Sequence, residues 1–321
     1  MAEPRRLATE SPSPSASWLG RRDVKNRIDV VELISVMRGL KPVTLQSIEK
    51  GFLPQLESFC SSHGLSCATA EPVAAGETGP IVKQGSCRVV ISRAREMAEE
   101  LLLCSVGMLE RKGELLGYPG CCVKKWCSFV CETRDDSFDR YIFSSLGRSP
   151  AFPFCTNNAF NFASRLQQRH QPLLSALAER NRAAAFNAFL GNLANLHLIS
   201  HVPCSYACER SMEQGKAVFD AVSAADSGMA AELRKLLSRP VLFFGDFRFL
   251  VFSGIADSNS IAYTALSEPH SLLDAGLVAK FSAGDSVSVD SKEIKVFKSG
   301  RLLHAIPKVH EDDGIILPFG P

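Results

Sequence analysis

The chain has 321 residues, 45% of them hydrophobic and 22% charged, the balance of an ordinary globular protein. Lys and Arg number 36 against 34 Asp and Glu, so charge makes no demand for a nucleic-acid partner, and nucleic acid is the weakest partner class. No stretch reaches the roughly 18 consecutive apolar residues of a transmembrane helix, so no membrane partner is expected.

The opening segment, "MAEPRRLATESPSPSASWLGRRDVK", has no apolar run of a secretory signal. It is polar and rich in Ser and Pro, so residues 1–25 are expected to form a disordered tail. Its Arg and Ser residues leave an organelle-targeting reading open, and Glu3 and Glu10 count against it. The 11 cysteines are an odd number in a chain too long to need disulfide stapling. Without an export signal the expectation is a cytoplasmic, reducing compartment, where clustered thiols are more often ligands or redox groups than disulfides.

In chain order, "RIDVVELISVMRGL" spaces Val30, Val31, Leu33, Ile34, Met37 and Leu40 as a helix face, and Pro42 stops it. "LQSIEKGFLPQLESFCSSHGL" predicts helical turns broken near Gly51–Pro54 and a second helix to about Ser62, with Gly64 as its stop. "LSCATA" predicts a short strand, "AAGETGPIVKQG" a loop or hairpin connection, and the β-branched "SCRVVISR" a second strand. "REMAEELLLCSVGMLERKGELLG" predicts one amphipathic helix, or two around Gly107. The first third is thus a small sheet covered by helices.

The middle third predicts helices throughout. "VKKWCSFVCET" sets Val123, Trp126, Cys127 and Val130 at i, i+3, i+4 and i+7, helices follow at about 158–169 and 172–199, and "SYACERSMEQGKAVFDAVSAADSGMAAELRKLL" adds two more. After Arg239–Pro240 the character changes to short strands: "VLFFGDFRFLVFSG", "SIAYTAL", "SVSVD", "EIKVFKSGRLLHAI" and "GIILPF". The fold class is therefore α+β, with a small N-terminal sheet and helices, a central helical region holding the cysteine motifs, and a C-terminal β-rich module, possible as a small barrel. The expected divisions are 1–25 for the tail, 26–238 for the α+β cysteine-motif domain and 239–321 for the β-rich module.

Two cysteine segments share a design. In Gly117-Tyr118-Pro119-Gly120-Cys121-Cys122, Pro then Gly favours a type II turn that delivers Cys121 and Cys122 to a helix start. In "HVPCSYACERS", Pro203 holds Val202 extended, and Ser205 is a natural N-cap that sets Cys208 at the third helical position and Cys204 just before the cap. Both segments aim thiols at a helix N-terminus, where unpaired N–H groups and the dipole favour a thiolate, the form that binds metal or attacks. Cys121 or Cys122, Cys204 and Cys208, with His201, make three or four soft ligands, which suit zinc or an iron–sulfur cluster equally. Adjacent cysteines are awkward on one ion; they fit if one ligates, if a cluster is held, or if they form a vicinal disulfide.

The remaining thiols have a plainer reading, because free cysteine is among the most buried residue types. Cys60, Cys67, Cys87, Cys104 and Cys127 are assigned to core packing, and Cys131 is undecided. Cys155, which also follows a proline, is the weaker candidate for a fifth site thiol. His197 reads as a core or capped histidine, or as a partner standing behind the ligands. Asn157 and Asn158 read as caps, and Lys124–Lys125 as a solvated helix face or an anchor for an anionic ligand. GxGxxG, Walker A, HExxH, GxSxG and CxxxCxxC motifs are absent.

On "LGYPGCCV" at 116–123 and "HVPCSYACERS" at 201–211, with the strand and "REMAEELL" helix before them, the chain is similar to the domain of unknown function 483 family over about residues 28–235. That resemblance implies no established activity. It implies that the two motifs belong together, so that Cys121, Cys122, His201, Cys204 and Cys208 form one set. The leading expectation is an uncharacterised metal-binding protein holding an iron–sulfur cluster or zinc. The alternatives are a metal-free thiol redox protein using the same cysteines, and a non-enzymatic module that binds a small-molecule or protein partner.

Overall fold

The structure is a computed structural model that describes residues 28–70, 85–105, 107–133, 141, 151–160, 196–244, 249–267, 275–309 and 313–321. The expected tail, most of the connection at 74–85 and most of the two helices expected between 158 and 199 lie outside these residues. Among them are eight α-helices, a small N-terminal sheet and a seven-stranded C-terminal sheet, so the chain is α+β.

Helix α1 (Val30–Met37) begins where the Asp29 carboxylate accepts the Glu32 N–H at 3.1 Å, a side-chain cap that satisfies an orphan donor. Strand β1 (Val43–Glu49) follows. This corrects the helical turns expected there: "VTLQSIE" pairs along its whole length with β3 (Ser86–Ser92), from Val43 opposite Ser92 to Glu49 opposite Ser86. The second expected helix forms as α2 (Leu53–Ser62), with Pro54 in its first turn, where a missing N–H costs nothing. Strand β2 (Ser66–Ala70) pairs with the other edge of β3.

Strand β3 is central and both its faces are covered. Val89 and Ile91 join the core formed with α1 and α2, while Val90 faces the opposite core with Ala98, Leu101 and Leu115. The run "RVVIS" is apolar on both faces for this reason. Leu101 belongs to α3 (Arg95–Leu103) and Leu115 to α4 (Leu109–Leu115), the two-helix form of the expected pair. Helix α5 (Gly120–Thr133) packs on α4 where Gly113 lets Val123 approach; a Cβ there would lie 2.7 Å from a Val123 methyl.

Strand β4 (Phe152–Pro153) and a 3-10 turn (Phe154–Thr156) lead to α6 (Glu209–Ala225) and α7 (Ser227–Leu237) by way of the segment 196–208. Residues 196–199 are not helical, so the helix expected at about 172–199 does not extend over them; the rest of that span lies outside the described residues. His197, Leu198, Ile199 and Ser200 are all buried, and an irregular segment can turn four successive side chains inward where a helix turns about one in two.

The C-terminal sheet comprises β5 (Val241–Phe243), β6 (Phe249–Ala256), β7 (Ser260–Ser267), β8 (Ser286–Val289), β9 (Glu293–Lys298), β10 (Arg301–Pro307) and β11 (Ile315–Leu317). It is antiparallel, in the order β10-β9-β8-β7-β6-β5-β11. It is thus an open sheet with β10 and β11 at its edges, not the closed barrel raised as a possibility. A helix that the periodicity did not reveal, α8 (Ala275–Ser282), covers it through buried Phe281. Val241, Phe243, Phe249, Val251 and Leu317 face the core shared with α1 and α7, whereas Leu242, Leu250, Phe252 and Ile316 face the α8 side. The last strand, β12 (Phe319–Gly320), leaves this sheet and pairs in parallel with β4.

Candidate metal centre

Cys121 and Cys122 stand in the first turn of α5. The Pro119 carbonyl accepts the N–H groups of Cys122 at 2.8 Å and Val123 at 3.0 Å, so Gly120 is already helical and the type II turn expected at Pro119–Gly120 does not form. The left-handed residue is Gly117, at φ 73°, where a Cβ would also meet the Pro42 ring at 2.6 Å. A side chain is excluded there by both backbone and space. The Gly117 carbonyl accepts from the Gln214 side chain of α6 at 3.1 Å, which ties the turn to the second motif.

The second segment is held by its backbone. Asn158 donates to the His201 carbonyl at 2.6 Å, Tyr141 to that of Pro203 at 3.4 Å, Lys125 to that of Cys204 at 2.9 Å and Thr156 to that of Tyr206 at 2.8 Å. Ser205 accepts the Ala207 N–H on its hydroxyl at 3.1 Å and the Cys208 N–H on its carbonyl at 2.9 Å. It therefore shapes the turn before the helix, and Cys208, at φ −65° and ψ 114°, is itself the residue capping α6. This corrects the third-position placement. Tyr206 fixes the loop from inside: its ring meets Phe152 at 5.2 Å and Phe319 at 5.0 Å, and its hydroxyl donates to Asn158 at 3.2 Å.

The two segments meet. The sulfurs of Cys121, Cys122, Cys204 and Cys208 all lie within 4.8 Å of one another, although 82 residues separate Cys122 from Cys204. Cys121 and Cys122 are 3.9 Å apart, and each is 3.7 Å from Cys208. All four are free thiols; the 3.9 Å gap is far from a disulfide bond of about 2.0 Å. Four thiols at these separations are positioned to hold a metal ion.

His201 stands one step behind the thiols. Its Nε2 lies 2.8 Å from the Ser211 hydroxyl, and Ser211 lies 3.3 Å from the Cys122 sulfur. The Cys204 N–H also points at Cys122, at 3.3 Å. Cys155 is buried elsewhere, on the 3-10 turn, with its thiol toward the Met212 carbonyl at 3.7 Å. Asn157 donates to the Leu237 carbonyl at 2.9 Å and accepts the Ala159 N–H at 3.2 Å.

The thiols are not equivalent electrically. Burial pushes Cys122 up, although Ser211 and the Cys204 amide oppose it. Burial, with Cys208 beside it, pushes Cys204 up to about 11. Burial also works against the Cys208 thiolate, but the Ser211 hydroxyl and amide, with the Cys204 and Cys121 thiols, outweigh it and bring Cys208 down to about 7. Near neutral pH Cys208 thus ionises readily, whereas Cys122 and Cys204 do so when a cation supplies the charge.

A second polar cluster adjoins the thiols, and sequence reasoning missed most of it. Buried Lys41 is ion-paired with buried Glu32 and donates to Ser200 at 2.8 Å. Ser200 reaches the Tyr118 hydroxyl at 3.4 Å, and the Lys41 ammonium lies 5.1 Å from the Tyr118 ring centre. His197 Nε2 faces Asp29 at 3.3 Å and Glu32 at 3.6 Å. Burial alone would raise Glu32, yet Lys41 and His197 hold it well below the carboxylate range. Burial raises Asp29. Tyr118 and His201, with ring centres 5.2 Å apart, join this cluster to the thiol centre.

No helix among the described residues is long and apolar enough to cross a membrane. Set beside family models, curated proteins and solved structures, the chain matches none of them.

Proposed function

We propose that Cys121, Cys122, Cys204 and Cys208 hold a single zinc ion in a tetrahedral sulfur cage, and that this ion cross-links the 117–122 and 201–208 segments. The observation that carries the reading is the spacing of the sulfurs. Four ligands at about 2.3 Å from one tetrahedral ion lie about 3.8 Å from each other. The separations among Cys121, Cys122 and Cys208, 3.7, 3.7 and 3.9 Å, match that edge length, and the Cys204 sulfur lies within 4.8 Å of each. A four-iron cluster binds each thiolate to a different iron and so holds its sulfurs wider apart. Sulfur donors in tetrahedral array suit zinc among the common divalent ions.

Four protein ligands close the coordination sphere, the pattern of a structural site, in which ion binding supplies folding energy directly. His201 then acts through Ser211, orienting the hydroxyl that faces Cys122. If the two motifs mark the domain of unknown function 483 family, as their resemblance implies, they belong to one joint site. A second reading, a metal-free thiol redox protein, is favoured by one observation: Cys208 is brought down to about 7 beside Cys204.

The test is metal content by mass spectrometry after anaerobic purification. Cys204→Ala should lose the zinc, while Cys104→Ala, altered at a thiol outside the set, should keep one ion per chain. Equal loss in both would point to general unfolding and defeat the assignment. An intact chain with no metal under any loading condition would favour the redox reading.

A further inference from the structure

The four sulfurs differ in what surrounds them. Cys122 is buried and faces two donors, the Cys204 N–H and the Ser211 hydroxyl, each at 3.3 Å. Cys208 is half-buried and is approached by the hydroxyl and amide of Ser211. Cys204 is half-buried, among the other sulfurs, with its own carbonyl tied down by Lys125. Cys121 alone is exposed, and among the described residues its sulfur contacts only the Cys122 and Cys208 sulfurs, with no N–H or O–H donor from nitrogen or oxygen.

Donors directed at a thiolate withdraw charge from it, and burial blocks approach. A thiolate with neither keeps its nucleophilicity, and binding to a cation keeps it deprotonated. Four thiolates on one dication carry a net double negative charge, so excess electron density remains on the sulfurs. That density is least compensated where hydrogen bonding is poorest.

We propose that Cys121 is the reactive thiolate of the metal-bound set, a nucleophile toward soft carbon electrophiles that carry a good leaving group. The inference rests on the zinc reading above. In the step, the Cys121 Sγ electron pair forms a bond to carbon, the bond from carbon to the leaving group breaks, and the leaving group departs with that bond's electrons. The thiolate becomes a thioether. No proton, oxidant or reductant is consumed. The other three thiolates keep the ion in place, and Cys121 is the most exposed residue of the set.

The test treats the full-length, zinc-loaded chain with limiting iodoacetamide and maps the adducts by peptide mass spectrometry, while zinc per chain is measured on the same sample. Cys121 should label first, by about tenfold or more over Cys122, Cys204 and Cys208, with zinc still bound when the Cys121 adduct is complete. Cys121→Ser should abolish that fast adduct without shifting it to the other three, and a cooperative melting curve should show that the variant remains folded. Zinc bound but labelling led by Cys204, or spread evenly over the four, would overturn the inference and leave the zinc reading standing. No zinc in the untreated chain would overturn both.

Discussion

The Ser211 hydroxyl faces Cys122 at 3.3 Å and His201 at 2.8 Å, and with the Ser211 amide it favours the Cys208 thiolate. A serine at the start of a helix would pass for an ordinary polar residue; here it favours the thiolate form of one of the four clustered sulfurs. Cys208 is lowered in the folded chain from 9.0 to about 7. An acid depressed on folding stabilises the fold above its unfolded value, and that contribution is lost as pH falls through the folded value. The metal-free protein should therefore gain stability from Cys208 as pH rises from about 7 to 9. Ser211→Ala should move the Cys208 midpoint upward, flatten that rise and cost about 1–3 kcal/mol of stability. Thiolate absorbance against pH, with denaturant melts at pH 7 and 9, checks both parts. An unchanged Cys208 midpoint would show that Ser211 does not tune it.

Among the elements, the chain's last strand bears on the cysteine loop. β12 pairs with β4, and Phe319 packs on Phe152 at 5.8 Å and on Tyr206 at 5.0 Å. Tyr206 lies between Cys204 and Cys208 in the chain, so β12 braces the cysteine loop through Phe319. Phe319→Ala should cost about 3–5 kcal/mol, as truncation of a buried aromatic does. Because the loop loses its brace, zinc affinity should fall as well; competition with a chromogenic chelator reads this directly. Full affinity with lowered stability would separate the brace from the site. None of this was legible in the sequence, because the contact joins residues more than a hundred positions apart. What was legible was local: α1, α2, α5, α6 and α7 follow from apolar spacing, and β2, β3 and the C-terminal strands follow from β-branched runs. β1 was misread because "LQSIEKGFL" also fits a helical face; its pairing with β3, some forty residues on, decides the matter. The turn geometry was misplaced by a few residues for a similar reason. Pro119–Gly120 carries a turn signal, but the left-handed residue is Gly117, which ends α4: its N–H donates to the Glu114 carbonyl at 2.9 Å and the Tyr118 N–H to the Gly113 carbonyl at 3.0 Å.

Across the whole molecule, the thiol centre sits where three parts of the chain converge: the α4–α5 turn, the buried 196–208 segment and the strands β4 and β12. The motifs identified the four cysteines because thiols at helix starts are conspicuous in a sequence. They did not reveal that His201 meets Ser211, or that Lys41 and Glu32 are buried beside Ser200. Those are tertiary facts, set by side chains that meet across long separations. Burying that ion pair is costly, and removing one partner leaves an uncompensated charge, so the cluster constrains how the 196–201 segment can sit and thereby where Cys204 and Cys208 point. X-ray absorption at the metal edge of the anaerobically purified protein distinguishes one ion held by four sulfurs from a cluster. A single zinc ion predicts one zinc per chain, with about four sulfur scatterers near 2.3 Å and no second metal nearby. A metal–metal vector at the iron edge, with acid-labile sulfide in the sample, would contradict it.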